Sequence, residues 1–322
     1  MTKIKEFVGI DISKLTFDVG YPTAEGKYRH GKYENSKKGF EAFGKNLSDT
    51  CVCVMEASGP YYMGLANYLY EQGIEVMVVN PLAVKHFSRM RMTRAKTDKK
   101  DAALIAEYAK IENPPVWKPK AEHLIELQQL QSVLEGSVAR RTQLTNQYEA
   151  LSSSGFKKSS ALSILKKEIN HIDIVIEKIE GQMISISQAY HKELFEQLKS
   201  IPGIGKRTAM MLIVITDGFT RFETAKQLVG YIGLCPRIYD SGTSVKGKQR
   251  ICKMGMAPMR ALLYMCAMTA QKSNHACIEM HKRLKAKGKN GKLIIVAVAN
   301  KLIKQAFAVA KSGKYYEPKL IA

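Results

Sequence analysis

One aspartate inside an apolar run constrains this chain more than any other single feature. Phe7-Val-Gly-Ile-Asp11-Ile-Ser reads as a buried strand that carries a carboxylate. Such a group is costly to bury unless it is paired or faces a cation. The neighbouring pattern supplies the rest of a sheet. Lys14 to Gly20 and Lys27 to Glu34 alternate around Pro22 to Gly26, as a hairpin does. A helical stretch near Lys37 to Leu47 comes next, then a strand over Cys51 to Met55, a helix over Tyr61 to Gln72 and a strand over Ile74 to Val79. The predicted order is β-β-β-α-β-α-β.

Three more acids join Asp11. Glu56 stands at the carboxyl end of the strand that begins at Cys51. Asp98 and Asp101 open a helix in Lys96-Thr-Asp-Lys-Lys-Asp-Ala-Ala-Leu. Thr97 or Asp98 can cap that helix, and a spacing of three puts both aspartates on one face of its first turn. Together the four can form a hard oxygen-ligand site for Mg²⁺, and two such ions support in-line phosphoryl transfer. Each acid also has an ordinary role open to it: Asp98 as a cap, Asp101 as a complement to the helix dipole, Glu56 as a loop acid. The D…E…D-x-x-D order resembles the ribonuclease-H-like nucleases of the RuvC kind. Gly9-Ile-Asp-Ile-Ser-Lys also resembles the first phosphate loop of the actin and sugar-kinase ATPases, which share this topology. The second Asp-x-Gly loop and the Gly-rich adenosine site that those proteins need are not found downstream.

Asn113-Pro-Pro-Val-Trp-Lys-Pro breaks the helical pattern and sets a boundary, so residues 1–112 are expected to be the acid-bearing α/β domain. Beyond it, Leu162, Leu165, Ile169, Ile172, Ile176, Ile179, Met183 and Ile186 recur at spacings of three and four, the seam of a coiled coil. Leu124, Leu127, Leu130, Leu134 and Val138 begin a partner stripe, with a turn expected at Ser152-Ser-Ser-Gly-Phe. Residues 113–197 are thus a linker and a coiled-coil hairpin, serving as a spacer or as a dimerisation element.

The remaining residues, 198–322, are expected to be mainly helical and are strongly basic. The chain carries a net charge of +21, and residues 201–322 hold 22 Lys and Arg against 5 Asp and Glu. That imbalance points to a polyanion, nucleic acid before an acidic membrane, because neutralising phosphates releases counterions. No apolar run is read as spanning a bilayer and the first residues lack a signal-peptide core, so a soluble, cytoplasmic protein with no membrane partner is expected. The six cysteines lack metal-site spacing and are expected to be small buried thiols, without zinc or disulfides.

Two elements of the basic half carry chemistry. Ile201-Pro-Gly203-Ile-Gly205-Lys206-Arg207 resembles a helix-hairpin-helix, whose glycines admit a phosphate to backbone N–H groups while the two cations add charge; a plain tight turn is the alternative. Ser241 stands among Arg237, Lys246, Lys248 and Arg250, with Lys253 just beyond. A hydroxyl among fixed cations suits attack on a phosphodiester. Ser-Gly-Thr-Ser is also ordinary turn chemistry.

Taken in order, the acids, the coiled coil, the Pro-Gly-Ile-Gly hairpin, Gly-Leu-Cys-Pro and Asp-Ser-Gly with a basic tail resemble the DEDD-type transposases of the IS110 family of insertion sequences over nearly the whole chain. The resemblance implies a recombinase guided by a bridge RNA that pairs with target and donor DNA. It implies Mg²⁺ (or Mn²⁺) held by Asp11, Glu56, Asp98 and Asp101. Ser241 would be the nucleophile of a covalent phosphoserine intermediate, its site completed by a partner protomer's acids. It further implies a dimer on each DNA and a tetramer at synapsis. RNA guidance does not follow from the residues themselves, which show no RNP-type aromatic motif. Two other functions fit the residues: a metal-dependent, Holliday-junction-resolvase-like nuclease in which Ser241 is only a loop residue, and a non-catalytic nucleic-acid-binding protein.

Overall fold

The alternating and apolar segments of the first hundred residues form one five-stranded sheet. The structure, a computed structural model, describes residues 5–92, 97–153, 155, 159–237, 240–241, 245–246, 250–252 and 254–318. The chain divides into two units, 1–120 and 121–322.

The first unit runs β1 (Glu6–Ile12), β2 (Thr16–Pro22), β3 (Tyr28–Glu34), α1 (Lys37–Gly44), β4 (Cys51–Glu56), α2 (Met63–Glu71), β5 (Glu75–Val79), α3 (Pro81–Met90) and α4 (Asp98–Glu112). The sheet order is β3-β2-β1-β4-β5. β1 pairs antiparallel with β2 and parallel with β4. This mixed sheet, in the predicted element order, is compatible with a ribonuclease-H-like domain. Helices cover both faces, which is why β4 is apolar at successive positions rather than alternate ones. One face packs Phe17 and Met55 against Phe43, Leu65 and Leu69, and the other packs Val52 and Val54 against Phe87 and Ile105.

α4 lies on the sheet at backbone contact. Gly9 and Gly20 are partners across β1 and β2, and the helix presents Ala102 and Ala106, both fully buried. A Cβ built on Gly9 would stand 2.0 Å from the Ala102 carbonyl oxygen, and one on Gly20 would stand 3.1 Å from the Ala103 nitrogen. The two glycines therefore set how closely α4 approaches β1.

The second unit contains α5 (Glu122–Ser153), α6 (Ser160–Lys199), α7 (Lys206–Thr216), α8 (Ala225–Ile232), the short strands β6 (Pro236–Arg237), β7 (Asp240–Ser241), β8 (Val245–Lys246) and β9 (Arg250–Ile251), then α9 (Ala257–Ser273), α10 (His275–Ala286) and α11 (Gly291–Ser312). α5 and α6 are antiparallel, since His123 meets His191 and Arg141 meets Asp173. Leu162, Leu165, Ile172, Ile179 and Met183 of α6 and Leu124, Leu127 and Leu134 of α5 are buried along the predicted seam. Most of these belong to a core shared with α7, α9 and α11.

One expectation needs correcting. α11 is long and apolar enough to cross a membrane by length and composition, with a mean hydropathy of 1.7 over its most apolar stretch. Lys301 and Lys304 interrupt the run and disguise it in the sequence. Ile294, Val298, Leu302, Ile303 and Ala306 are buried against the rest of the unit, as in a helix enclosed by its own core. Four cysteines, Cys51, Cys53, Cys266 and Cys277, are buried thiols as expected, and Cys235 and Cys252 are half-buried.

Candidate functional site

The parallel register of β1 and β4 runs from Glu6–Cys51 to Ile10–Met55. One step further on, the same offset brings Asp11 level with Glu56 at the carboxyl ends of the two strands. Asp98 is the first residue of α4 and Asp101 is one turn along, close to the glycine contact that fixes the helix on β1. The Thr97 hydroxyl accepts from the Lys100 N–H at 3.3 Å, so Thr97 caps α4 and leaves the Asp98 carboxylate free of that duty. All four acids line one cleft of about 800 Å³.

The electrostatics of this cleft are those of a carboxylate cluster. Burial pushes the Asp11 carboxyl up to about 6, helped by the negative charges of Asp101, Asp98, Glu56 and Asp18. Asp18, the cross-strand partner of Asp11, is buried and accepts from His30 Nε2 at 2.7 Å, with Lys32 at 3.4 Å. The Ser58 hydroxyl donates to Glu56. Among the described residues, no three His, Cys, Asp or Glu side chains are already drawn tightly enough together to hold an ion. The donor set is entirely carboxylate oxygen, converging on one cleft and mutually repulsive there. That chemistry fits a hard divalent cation.

A pH dependence follows. The raised value of Asp11 disfavours its ionised form in the fold, so the metal-free protein is less stable above about pH 6 than at pH 5, where the group is protonated. The full shift would correspond to about 3 kcal/mol, but it is recovered in full only as pH falls below the ordinary value of 3.8, so between pH 7.5 and 5 about half of it is in play, reduced to about 1 kcal/mol or less by solvent at this half-buried site. The melting temperature, taken relative to Asp11→Asn, is expected to rise as pH falls from 7.5 to 5. Adding Mg²⁺ or Mn²⁺ at pH 7.5 should raise it as well. Equal pH profiles for the two proteins would remove the coupling.

The same cleft contains residues the sequence did not single out: Ser58, and on α3 Lys85, Ser88 and Arg89. Asn80-Pro81 was the available signal, because the Asn80 side chain accepts from the Leu82 N–H at 2.9 Å and Pro81 occupies the first helical position.

In the second unit, Gly203 has φ +102° and a Cβ there would meet Ala270 Cβ at 2.6 Å, so its lack of a side chain serves packing on α9. Gly205 faces open space at the start of α7, where Lys206 and Arg207 are exposed. Arg207 Nε lies 3.1 Å from Glu180 Oε1 of α6, an ion pair without hydrogen-bond alignment. Ser241 ends β7, which pairs antiparallel with β8, Ser241 opposite Val245 and Asp240 opposite Lys246. Around it β6 pairs with β9, placing Arg237 opposite Arg250. Ser241 and Lys246 therefore belong to one short ladder, and Arg237 and Arg250 to another. Lys248 and Lys253 lie outside the described residues.

Comparison with known proteins supplies a lineage for these two units. A family profile of DEDD, IS110-type proteins described as "Transposase" matches residues 8–154, spanning all four acids. A second, described as "Transposase IS116/IS110/IS902 family", matches residues 195–282, spanning Ser241. The pilin gene-inverting protein of Moraxella lacunata is 31% identical over 98% of this chain and 99% of its own length. Its namesake from Moraxella bovis is 30% identical over the same shares. The transposase for insertion sequence element IS1111A of Coxiella burnetii is 25% identical over 80% of this chain and 76% of its own.

Proposed function

We propose, from the premise that the chain belongs to the IS110 family of transposases and is thus a DNA recombinase, that it cuts and rejoins DNA through a covalent bond to Ser241 with help from the acid cleft. The observation that carries this reading is the convergence of Asp11, Glu56, Asp98 and Asp101, drawn from two strands and a helix, on one cleft. A divalent cation, Mg²⁺ or Mn²⁺, held by those oxygens would neutralise phosphate charge and make the reacting hydroxyl more acidic.

The chemistry balances without an external energy source. Ser241 Oγ loses its proton as it bonds to phosphorus, the bridging P–O bond of the strand breaks, and the departing oxygen gains a proton. In rejoining, a strand hydroxyl attacks the same phosphorus and the proton returns to Ser241. The number of phosphodiester bonds is conserved, which suits strand exchange without free ends.

The partners proposed are target and donor DNA, an element-encoded bridge RNA that selects both, and further copies of this chain. The basic second unit supports nucleic-acid contact, with Gly205 and Lys206 at the exposed start of α7, and Arg237, Lys246 and Arg250 near Ser241 in sequence, as candidate phosphate contacts. Val133, Ile164 and Ile174 remain exposed on α5 and α6 and support self-association through this helix pair, with a dimer on each DNA and a tetramer at synapsis. The gene-inverting relatives extend the reading from transposition to rearrangement between two sites in one DNA.

Incubating the protein with its RNA and DNA carrying the element ends, with or without Mg²⁺, tests the proposal on a denaturing gel. Metal-dependent strands that are retarded without protease and released to the mobility of cut strands by protease are expected. Free-ended strands with no protein attached would instead assign a resolvase-like nuclease.

A further inference from the structure

The acid cleft has a second wall of opposite charge. α3 is amphipathic: Val84 and Phe87 are buried in the core beneath it, while Lys85 and Arg89 are exposed and line the cleft with Ser88. Lys85 and Arg89 are four residues apart, so they share one side of the helix at an axial separation of about 6 Å. Like charges at this spacing repel. Arg89, in the last turn, complements the helix dipole. Lys85 stands mid-helix and has no such reason to be there.

Among the described residues neither cation forms an ion pair with any carboxylate, although four carboxylates line the same cleft. Two positive groups without an ion pair among the described residues therefore line the same cleft as the four acids. A phosphodiester strand satisfies both sides. Its non-bridging oxygens suit Lys85 and Arg89, and a divalent cation, if held by the acids, would neutralise phosphate charge on their side of the cleft.

We infer that Lys85 and Arg89 form a subsite that holds the sugar-phosphate backbone of the DNA strand entering the acid cleft. The inference rests on the reading of that cleft as the cleavage site. Contact is to phosphate, so the subsite positions the strand and carries no sequence preference.

The test uses the full chain with the double variant Lys85→Gln/Arg89→Gln and with Lys85→Arg/Arg89→Lys, which keeps both charges. Affinity for an oligothymidylate is followed across a KCl series, Mn²⁺ binding by its spin-resonance signal, and recombination on element-end DNA. The neutral variant should bind Mn²⁺ as the parent does, lose about 1–2 from the slope of log affinity against log salt, and recombine at least about tenfold more slowly at moderate salt, with partial recovery at low salt. The charge-keeping variant should retain the slope.

An unchanged slope with parental recombination would overturn the subsite, as would a loss confined to RNA binding. Equal loss from Lys37→Gln/Lys38→Gln, which removes the same charge from the exposed face of α1, would reduce the effect to net charge and overturn it too. Asp11→Asn separates the two levels. If that variant is inactive while Lys85→Gln/Arg89→Gln behaves as the parent, only the subsite falls; if it recombines normally, the cleft reading itself fails and takes the subsite with it.

Discussion

With alanine at position 241, DNA carrying the element ends is expected to yield neither protein-linked strands nor recombinants, a loss of about 10³-fold or more. The substitution removes the one atom that forms the bond to phosphorus. It leaves every charge in place, so DNA affinity and its salt dependence should match the parent. The change leaves the backbone pairing groups in place, because Ser241 is paired opposite Val245 through its main chain. Folding, measured by circular dichroism, should also be unchanged. The acids and their cation remain, so slow hydrolysis to free ends is the residual activity to look for. Recombination by Ser241→Ala at the parental rate would assign the nucleophile elsewhere and leave Ser241 as a turn residue.

The parts of this protein that show in its sequence are those written in local periodicity. Asp11 stands out because it interrupts an apolar strand, and β4 because it is apolar at successive positions. The α6 seam is visible because its leucines and isoleucines return every three or four residues. Such signals need no knowledge of what lies across the fold.

What was missed depends on tertiary return. α3 is short and follows β5 directly, so its Asn80-Pro81 start was overshadowed by the acids downstream. That Lys85 and Arg89 share a cleft with those acids appears only once α3 and α4 are placed on the sheet. Gly9 of β1 and Gly20 of β2 show no pattern in sequence and become partners only through the register of the two strands. Gly203, read as an opening for phosphate, is also required by the approach of α9, and Arg207, read as supplying charge to a phosphate, is ion-paired with Glu180 of the preceding helix. The polar and small residues of this chain therefore divide between chemistry and packing in ways that spacing alone leaves open.

Alanine at Gly9 is the substitution expected to damage both fold and site at once. Its Cβ would lie 2.0 Å from the Ala102 carbonyl oxygen, 2.6 Å from the Ala106 nitrogen and 3.0 Å from the Ala106 Cβ. Two of the three are backbone atoms within a helix, so no rotamer change relieves them, and α4 must retreat by more than about 1 Å to restore ordinary contact. Overpacking of this severity costs about 3 kcal/mol or more, a large share of a domain's typical stability. The retreat also carries Asp98 and Asp101 away from Asp11 and Glu56, so Mn²⁺ affinity should fall together with stability. Gly20→Ala, with its nearest contact at 3.1 Å, should show a weaker form of both effects. Adding Ala106→Gly to Gly9→Ala removes the 3.0 Å contact but neither backbone clash, so little rescue is expected. Gly136→Ala, in α5 with nothing within 4 Å of the new Cβ, should be neutral or stabilising by up to about 1 kcal/mol. Urea unfolding and Mn²⁺ titration of these four variants measure the two effects separately. If Gly9→Ala unfolds at the parental urea concentration, close contact between α4 and β1 is not what holds the acid pairs together.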